Sequence, residues 1–136
     1  MTATITITNP ILRGMNPDPS WIWDDEFQRI VLVTSTFELV PGLPIYVSED
    51  MTCWKHVSNV IDADLARRLL IPFVDDSGGV YAPTLRRIHG KYVIACTIAR
   101  LDDRRAMEGG CTESELMRFH AAEGNFILEA DSIEGP

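Results

Sequence analysis

At 136 residues the chain is one domain or part of one. A 46% hydrophobic content can fill a core, and 24% charged residues is ordinary for a water-facing fold. The net charge of −8 excludes the basic surface that nucleic acids or anionic membranes require, and it is compatible with a neutral substrate such as a sugar.

The opening MTATITITNP has neither a basic nor an apolar signal-peptide region. No secretory signal is therefore expected, and the cytoplasm is the expected location. No apolar run is long enough to span a membrane. Residues 2–8 alternate strictly, which predicts a half-buried strand. Residues 9–20, NPILRGMNPDPS, hold a single acid, Asp18, between Pro17 and Pro19. Proline fixes its own φ and steers the residue before it to extended geometry, so Asn16 and Asp18 are both expected to be extended. From these residues alone, Asp18 reads as an ordinary Asp-Pro turn.

After Ser20-Trp21-Ile22-Trp23 a polar turn, Asp24-Asp25-Glu26, leads into QRIVLVTSTF. Its β-branched content predicts a buried strand over 28–37. Pro41-Gly42 turns the chain into a strand at 43–48, and Glu49 to Thr52 turns it again into 53–60. The result is an antiparallel meander. ADLARRLL, within 62–74, predicts about two helical turns ended by Pro72. Residues 75–79, DDSGG, read as a loop, followed by a strand at 80–88, a His89-Gly90 turn and a second buried strand at 91–99. Pro19-Ser20-Trp21 and Pro83-Thr84-Leu85 lie 64 positions apart, each before a polar turn and an apolar strand. This is a weak internal repeat of one meander unit. Residues 101–110 read as a charged loop, Thr112-x-x-Glu115 as a capping box, and 125–131 as a last strand.

Three cysteines, Cys53, Cys96 and Cys111, form neither a CxxC nor an even framework, with Cys96 a small core residue. They and His56, His89 and His120 lack metal-ligand spacing, so no metal and no cofactor is expected. Trp21, Trp23 and Trp54 are expected to pack between sheets.

Taken together, NPILRGMNPDPSWIW, VLVTSTFELVPGLPIYVSEDMTCW and SGGVYAPTLRRIHGKYVIACT resemble the N-terminal part of glycoside hydrolase family 43, in its β-xylosidase and α-L-arabinofuranosidase branch. The resemblance runs over residues 9–97, and NFILEADSIEGP fits the next segment. It implies an all-β fold, a five-bladed β-propeller present here incompletely. About two blades of four-stranded antiparallel meander are expected, at about 16–62 and 78–136. It further implies inverting hydrolysis of O-glycosidic bonds in xylan-derived oligosaccharides, with two Asp and one Glu as catalytic acids.

By the same resemblance Asp18 in PDPS is the general base, which reverses the turn-only reading. Phe37 of STFE is the aromatic against the sugar, and Tyr81-Ala82-Pro83 forms another pocket wall where this branch usually has Trp. An inverting enzyme needs an acid and a base on opposite faces of the ring, roughly 6.5–9.5 Å apart with a water between. Aromatic walls suit the C–H face of a sugar. No residue here matches the family's orienting Asp or acid Glu. Glu113, Glu115, Asp75 and Asp76 read as solvated loop charges, and Glu38 as a local acceptor. The expectation is a glycosidase by family, with little or no turnover by these residues alone and self-association through open propeller edges. A non-catalytic sugar-binding or structural remnant is the alternative.

Overall fold

The computed structural model describes residues 4–134. Two antiparallel sheets follow one another along the chain. The first is β1 (Ser20–Asp24), β2 (Arg29–Val33), β3 (Gly42–Ser48) and β4 (Lys55–Ile61), paired in that order. The second is β5 (Val74–Ile88), β6 (Lys91–Leu101) and β7 (Asn125–Ala130). It is three-stranded among the described residues, where four strands are expected from the sequence. Short α-helices fill the connections: α1 (Ala63–Arg68), α2 (Asp103–Glu108) and α3 (Glu113–Ala121). None is long and apolar enough to cross a membrane among the described residues.

Strict alternation at the start does not yield a strand. Met1 to Ala3 lie outside the described residues, and Thr4 to Thr8 are unpaired and exposed, with Ile5 at 60%. A period-two pattern becomes a strand only where a neighbouring edge accepts its ladder. The strand expected over 28–37 stops at Val33, because the chain then leaves its own sheet. Phe37, at φ +53°, forms an isolated antiparallel bridge with Val80 in β5. The DDSGG stretch is not a loop between elements but a bulge inside β5: Val74 pairs with Leu101 and Gly79 with Ala99.

Residues 101–110, expected as a loop, contain α2. Asp102 caps it by accepting from the Arg105 amide. The capping box of α3 is present in both directions, Thr112 Oγ1 accepting from the Glu115 amide and Glu115 from the Thr112 amide. Bonds from Thr112 hold the Glu115 carboxyl below its ordinary range, the Thr112 amide foremost.

The core lies where the sheets face each other. Val31, Val33 and Ile45 from the first meet Leu85, Ile94 and Cys96 from the second, all nearly or fully buried. Side chains alternate across a strand, so the other face of the first sheet carries Trp21, Trp23, Ile30 and Leu32. Trp21 and Trp23 do not pack between the sheets, being 58% and 44% exposed. Trp54, half-buried, donates its indole N–H to the Met51 carbonyl.

Asp24, expected in a polar surface turn, ends β1 fully buried. It accepts from the Tyr92 hydroxyl and the Arg87 guanidinium, both on the second sheet, while Arg87 also reaches Glu26. Burial first, and then this bond to Asp24, pushes the Tyr92 phenol above its ordinary pKa.

Candidate functional site

Asp18 sits where the first sheet begins, exposed, at the seam with the second. Its backbone is not extended: φ is +50°, the left-handed region. Aspartate tolerates that region better than most residues, and the surrounding bonds hold it there. The Ser35 amide donates to the Pro17 carbonyl at 2.9 Å, and Ser35 Oγ donates to Asp18 Oδ2 at 2.7 Å. The same Oγ accepts from the Ala82 amide at 2.8 Å. A hydroxyl with no exposed surface therefore joins the carboxylate on one sheet to a backbone amide of the other.

Phe37 arrives by the same excursion from β2. Its amide donates to the Val80 carbonyl at 3.1 Å and its carbonyl accepts from the Val80 amide at 2.9 Å. Gly79 makes this approach feasible. It has φ +97°, and a Cβ there would stand 2.2 Å from the Phe37 carbonyl oxygen. Fixed by that bridge, the Phe37 ring stacks on Tyr81 with centroids 4.5 Å apart and planes 20° apart. The Tyr81 hydroxyl donates to the Ser77 carbonyl within the β5 bulge. Ala82 also has positive φ, +46°.

All four residues singled out from the sequence, Asp18, Phe37, Tyr81 and Ala82, are thus brought to one place. Three of them hold backbone angles that non-glycine residues adopt reluctantly. Two further residues belong to the cluster, and sequence reasoning does not single them out for it. Ser35 has one available signal, its place in STFE two residues before Phe37. Cys96, expected only as core, lies behind the site with Sγ 2.9 Å from the Tyr81 carbonyl. Burial, and secondarily the negative charge of Asp18, pushes its thiol up to about 11.

Other acids stand apart. Glu115 is absorbed in the α3 cap, Asp75 and Asp76 are exposed in the β5 bulge, and Glu38 is exposed. Among the described residues no group of three or more His, Cys, Asp or Glu could hold a metal ion. Cavities of about 400 and 360 Å³ open beside α1, α3 and β7, and neither is lined by Asp18, Phe37 or Tyr81. The cluster lies at the surface and consists of one exposed carboxylate beside a stacked aromatic pair.

Two antiparallel meanders that meet at a seam, with an acid and aromatic rings gathered there, define an all-β protein. Residues 7–136 match the family described as Glycosyl hydrolases family 43, and the chain belongs to it. It is 43% identical over 94 residues to the non-reducing end alpha-L-arabinofuranosidase BoGH43B of Bacteroides ovatus, across 68% of this chain and 17% of that protein. It is 34% identical over 135 residues to the xylan 1,3-beta-xylosidase of a Vibrio species, across 98% of this chain and 22% of that one. In structure it is similar to a xylan beta-1,4-xylosidase of Bacillus halodurans. That match has a TM-score of 0.69 and 29% identity, over 96% of this chain and 22% of the other. The chain thus spans about a fifth of the length of the curated relatives it matches.

Proposed function

We propose that these residues carry the general base and one aromatic wall of an inverting glycoside hydrolase acting on β-xylosides or α-L-arabinofuranosides. Asp18 is the base. Phe37 and Tyr81 form the wall on which the sugar's C–H face stacks, and Ala82 closes the floor beside them. The reading further assigns one blade of a five-bladed β-propeller to each sheet, with the orienting Asp and the acid Glu supplied from outside the 136 residues.

The observation that carries this is the Asp18–Ser35–Ala82 chain beside the stacked rings. A base that takes a proton from water must be aimed with little freedom. Ser35 occupies Oδ2 and leaves Oδ1 as the oxygen for an attacking water, since inversion places that water on the sugar face opposite the acid. The two relatives named above carry arabinofuranosidase and xylosidase in their names, which supports the substrate class.

The test has two arms on the purified chain. In the first, aryl β-xyloside and aryl α-arabinofuranoside are offered to the wild type and to Asp18→Ala. Little or no turnover is expected, because general acid assistance alone is typically worth ~10²–10⁴-fold. In the second, xylose and arabinose are titrated while ring resonances of Phe37 and Tyr81 are followed. Saturable shifts that vanish in Phe37→Ala are expected. Shifts spread evenly over the surface, or unaltered in that variant, would overturn the assignment of the wall.

A further inference from the structure

Two connections, residues 62–73 between the sheets and residues 102–124 between β6 and β7, flank the cavity of about 400 Å³. That volume falls within the usual span of small-molecule sites, about 300–1,000 Å³. Tyr81, Thr97 and Asn125 share one row of the second sheet, so the cavity opens two strands, about 10 Å, outward from the aromatic pair. Its lining residues take no part in the Asp18 cluster.

The floor is apolar and firmly built, from Leu70, Ile98, Phe119 and Phe126. Gly124 lets the end of α3 press onto β6. Its carbonyl accepts from the Ile98 amide at 2.9 Å, and its amide donates to the Phe119 carbonyl at 3.1 Å. A Cβ there would stand 2.1 Å from the Ile98 carbonyl oxygen, and φ is +72°, so glycine is what closes this joint. Behind the floor Leu70, Ala106 and Leu116 form a small core of their own, which fastens the end of α1 to α2 and α3. The cavity is therefore formed before any ligand arrives.

The rim carries positive charge. Arg68 in the last turn of α1 and Arg118 in the last turn of α3 both line the cavity. Basic residues at such places complement the helix dipole. Here, however, the terminal carbonyls are already answered by backbone amides: Leu65 by Leu69, Arg67 by Leu70, Arg118 by Ala122 and Phe119 by Gly124. Neither Arg68 nor Arg118 forms an ion pair among the described residues. Glu115 is the one carboxylate in the lining, and it stays ionised. The Thr112 bonds first, and the charge of Arg118 after them, hold it below its ordinary range. Two guanidiniums against one carboxylate leave a single positive excess above an apolar floor, in a chain whose net charge is −8.

We propose that this cavity is a second binding site, for a small aromatic monocarboxylate. The carboxylate lies between the Arg68 and Arg118 guanidiniums, whose paired N–H groups suit its two oxygens. The ring lies on the floor against Phe119 and Phe126, where aromatic contacts add to the area removed from water. One negative charge matches the positive excess, whereas a phosphate dianion would be repelled by Glu115. A sugar acid carries the right charge but brings hydroxyls that an apolar floor leaves unpaired.

The test titrates benzoate, benzyl alcohol and glucuronate into the wild type and follows the Phe119 and Phe126 rings and the Gly124 amide by NMR. Benzoate is expected to shift all three saturably and to leave the Phe37 and Tyr81 rings unmoved. Benzyl alcohol lacks the charge and is expected to bind about tenfold more weakly, the factor that a hydrogen bond to a charged group carries. Glucuronate lacks the apolar ring and is expected to be weaker by a similar factor, about tenfold. Arg68→Gln/Arg118→Gln is expected to bring benzoate down to the level of benzyl alcohol. Both side chains are exposed, and thermal melts check that the variant folds. Added salt is expected to weaken benzoate and not benzyl alcohol. Sugar binding at Phe37 enters none of these readings, so the outcome is independent of the role given to Asp18. Benzoate shifts that never saturate, or that persist unchanged in the double variant, overturn the proposal. So does benzyl alcohol or glucuronate binding as tightly as benzoate.

Discussion

Ser35 is the residue on which the candidate site turns, and its role rests on one oxygen with two bonds. Ser35→Ala leaves the Ala82 amide without an acceptor and Asp18 without its donor. Both groups belong to exposed residues, so the loss is that of ordinary hydrogen bonds, about 0.5–1.5 kcal/mol each, to be read as a lower urea midpoint, and the Phe37 and Tyr81 ring shifts should change with it. Cys96 supports a second prediction. Its thiol is raised from 9.0 to about 11 in the folded chain, so the fold binds this proton more tightly than the unfolded chain does. The stability it contributes is complete below pH 9 and is lost as the pH rises through about 11. Roughly 2–3 kcal/mol is involved at about 1.36 kcal/mol per pH unit. Urea midpoints from about pH 8 to 11 should fall more steeply for the wild type than for Cys96→Ala, and parallel slopes would refute this. Asp18 is picked out in the sequence only through the resemblance of PDPS to the family motif; the double-proline turn by itself reads as an ordinary Asp-Pro turn and predicts the wrong backbone, extended rather than left-handed. Ser35 is not picked out, because a serine in a β-branched run carries no local sign that its partners lie 17 and 47 positions away.

At the scale of elements, sequence pattern serves best where partners are close along the chain. The meander of β1 to β4 and the β5–β6 hairpin follow from apolar runs between turn residues, and the α3 cap from Thr112 and Glu115. Thr112→Ala removes the cap acceptor and should cost about 1 kcal/mol, measured by chemical denaturation. What pattern misses is set by contacts between elements. The alternating residues 4–8 find no edge to join, while DDSGG becomes a bulge because Gly79 must pass under the Phe37 carbonyl. Gly79→Ala is expected to break the Phe37–Val80 bridge. A Cβ has no room there, and the strain of φ +97° adds about 1–3 kcal/mol. Loss of the Phe37–Tyr81 contact by NMR, at a lower melting temperature, would show it.

For the molecule as a whole, the internal spacing of 64 residues announces two similar units but not how they are fastened. The fastening has an apolar middle and two polar ends, Ser35 at the site and Asp24 at the opposite end of β1. Asp24→Ala removes the shared acceptor of Arg87 and Tyr92 from a fully buried position. Arg87 keeps Glu26 and is partly exposed, so the main cost is the buried Tyr92 hydroxyl left without its acceptor, about 1–3 kcal/mol. Calorimetry should then show the two sheets melting less cooperatively.

Each sheet is drawn from one uninterrupted stretch of chain, whereas the bridge between Phe37 and Val80 joins residues far apart in sequence. Contacts close in sequence form early and distant ones late. The meanders are therefore expected to be built before the acid and the rings meet, which makes the Asp18 seam the last part of the molecule to mature. A refolding chain would pass through a stage with full sheet content and no Phe37–Tyr81 stack. Pulse-labelled hydrogen exchange can detect that stage, as amides of Phe37, Val80 and Ala82 gaining protection after those of β2 and β6. Simultaneous protection would mean that the seam itself is the nucleus.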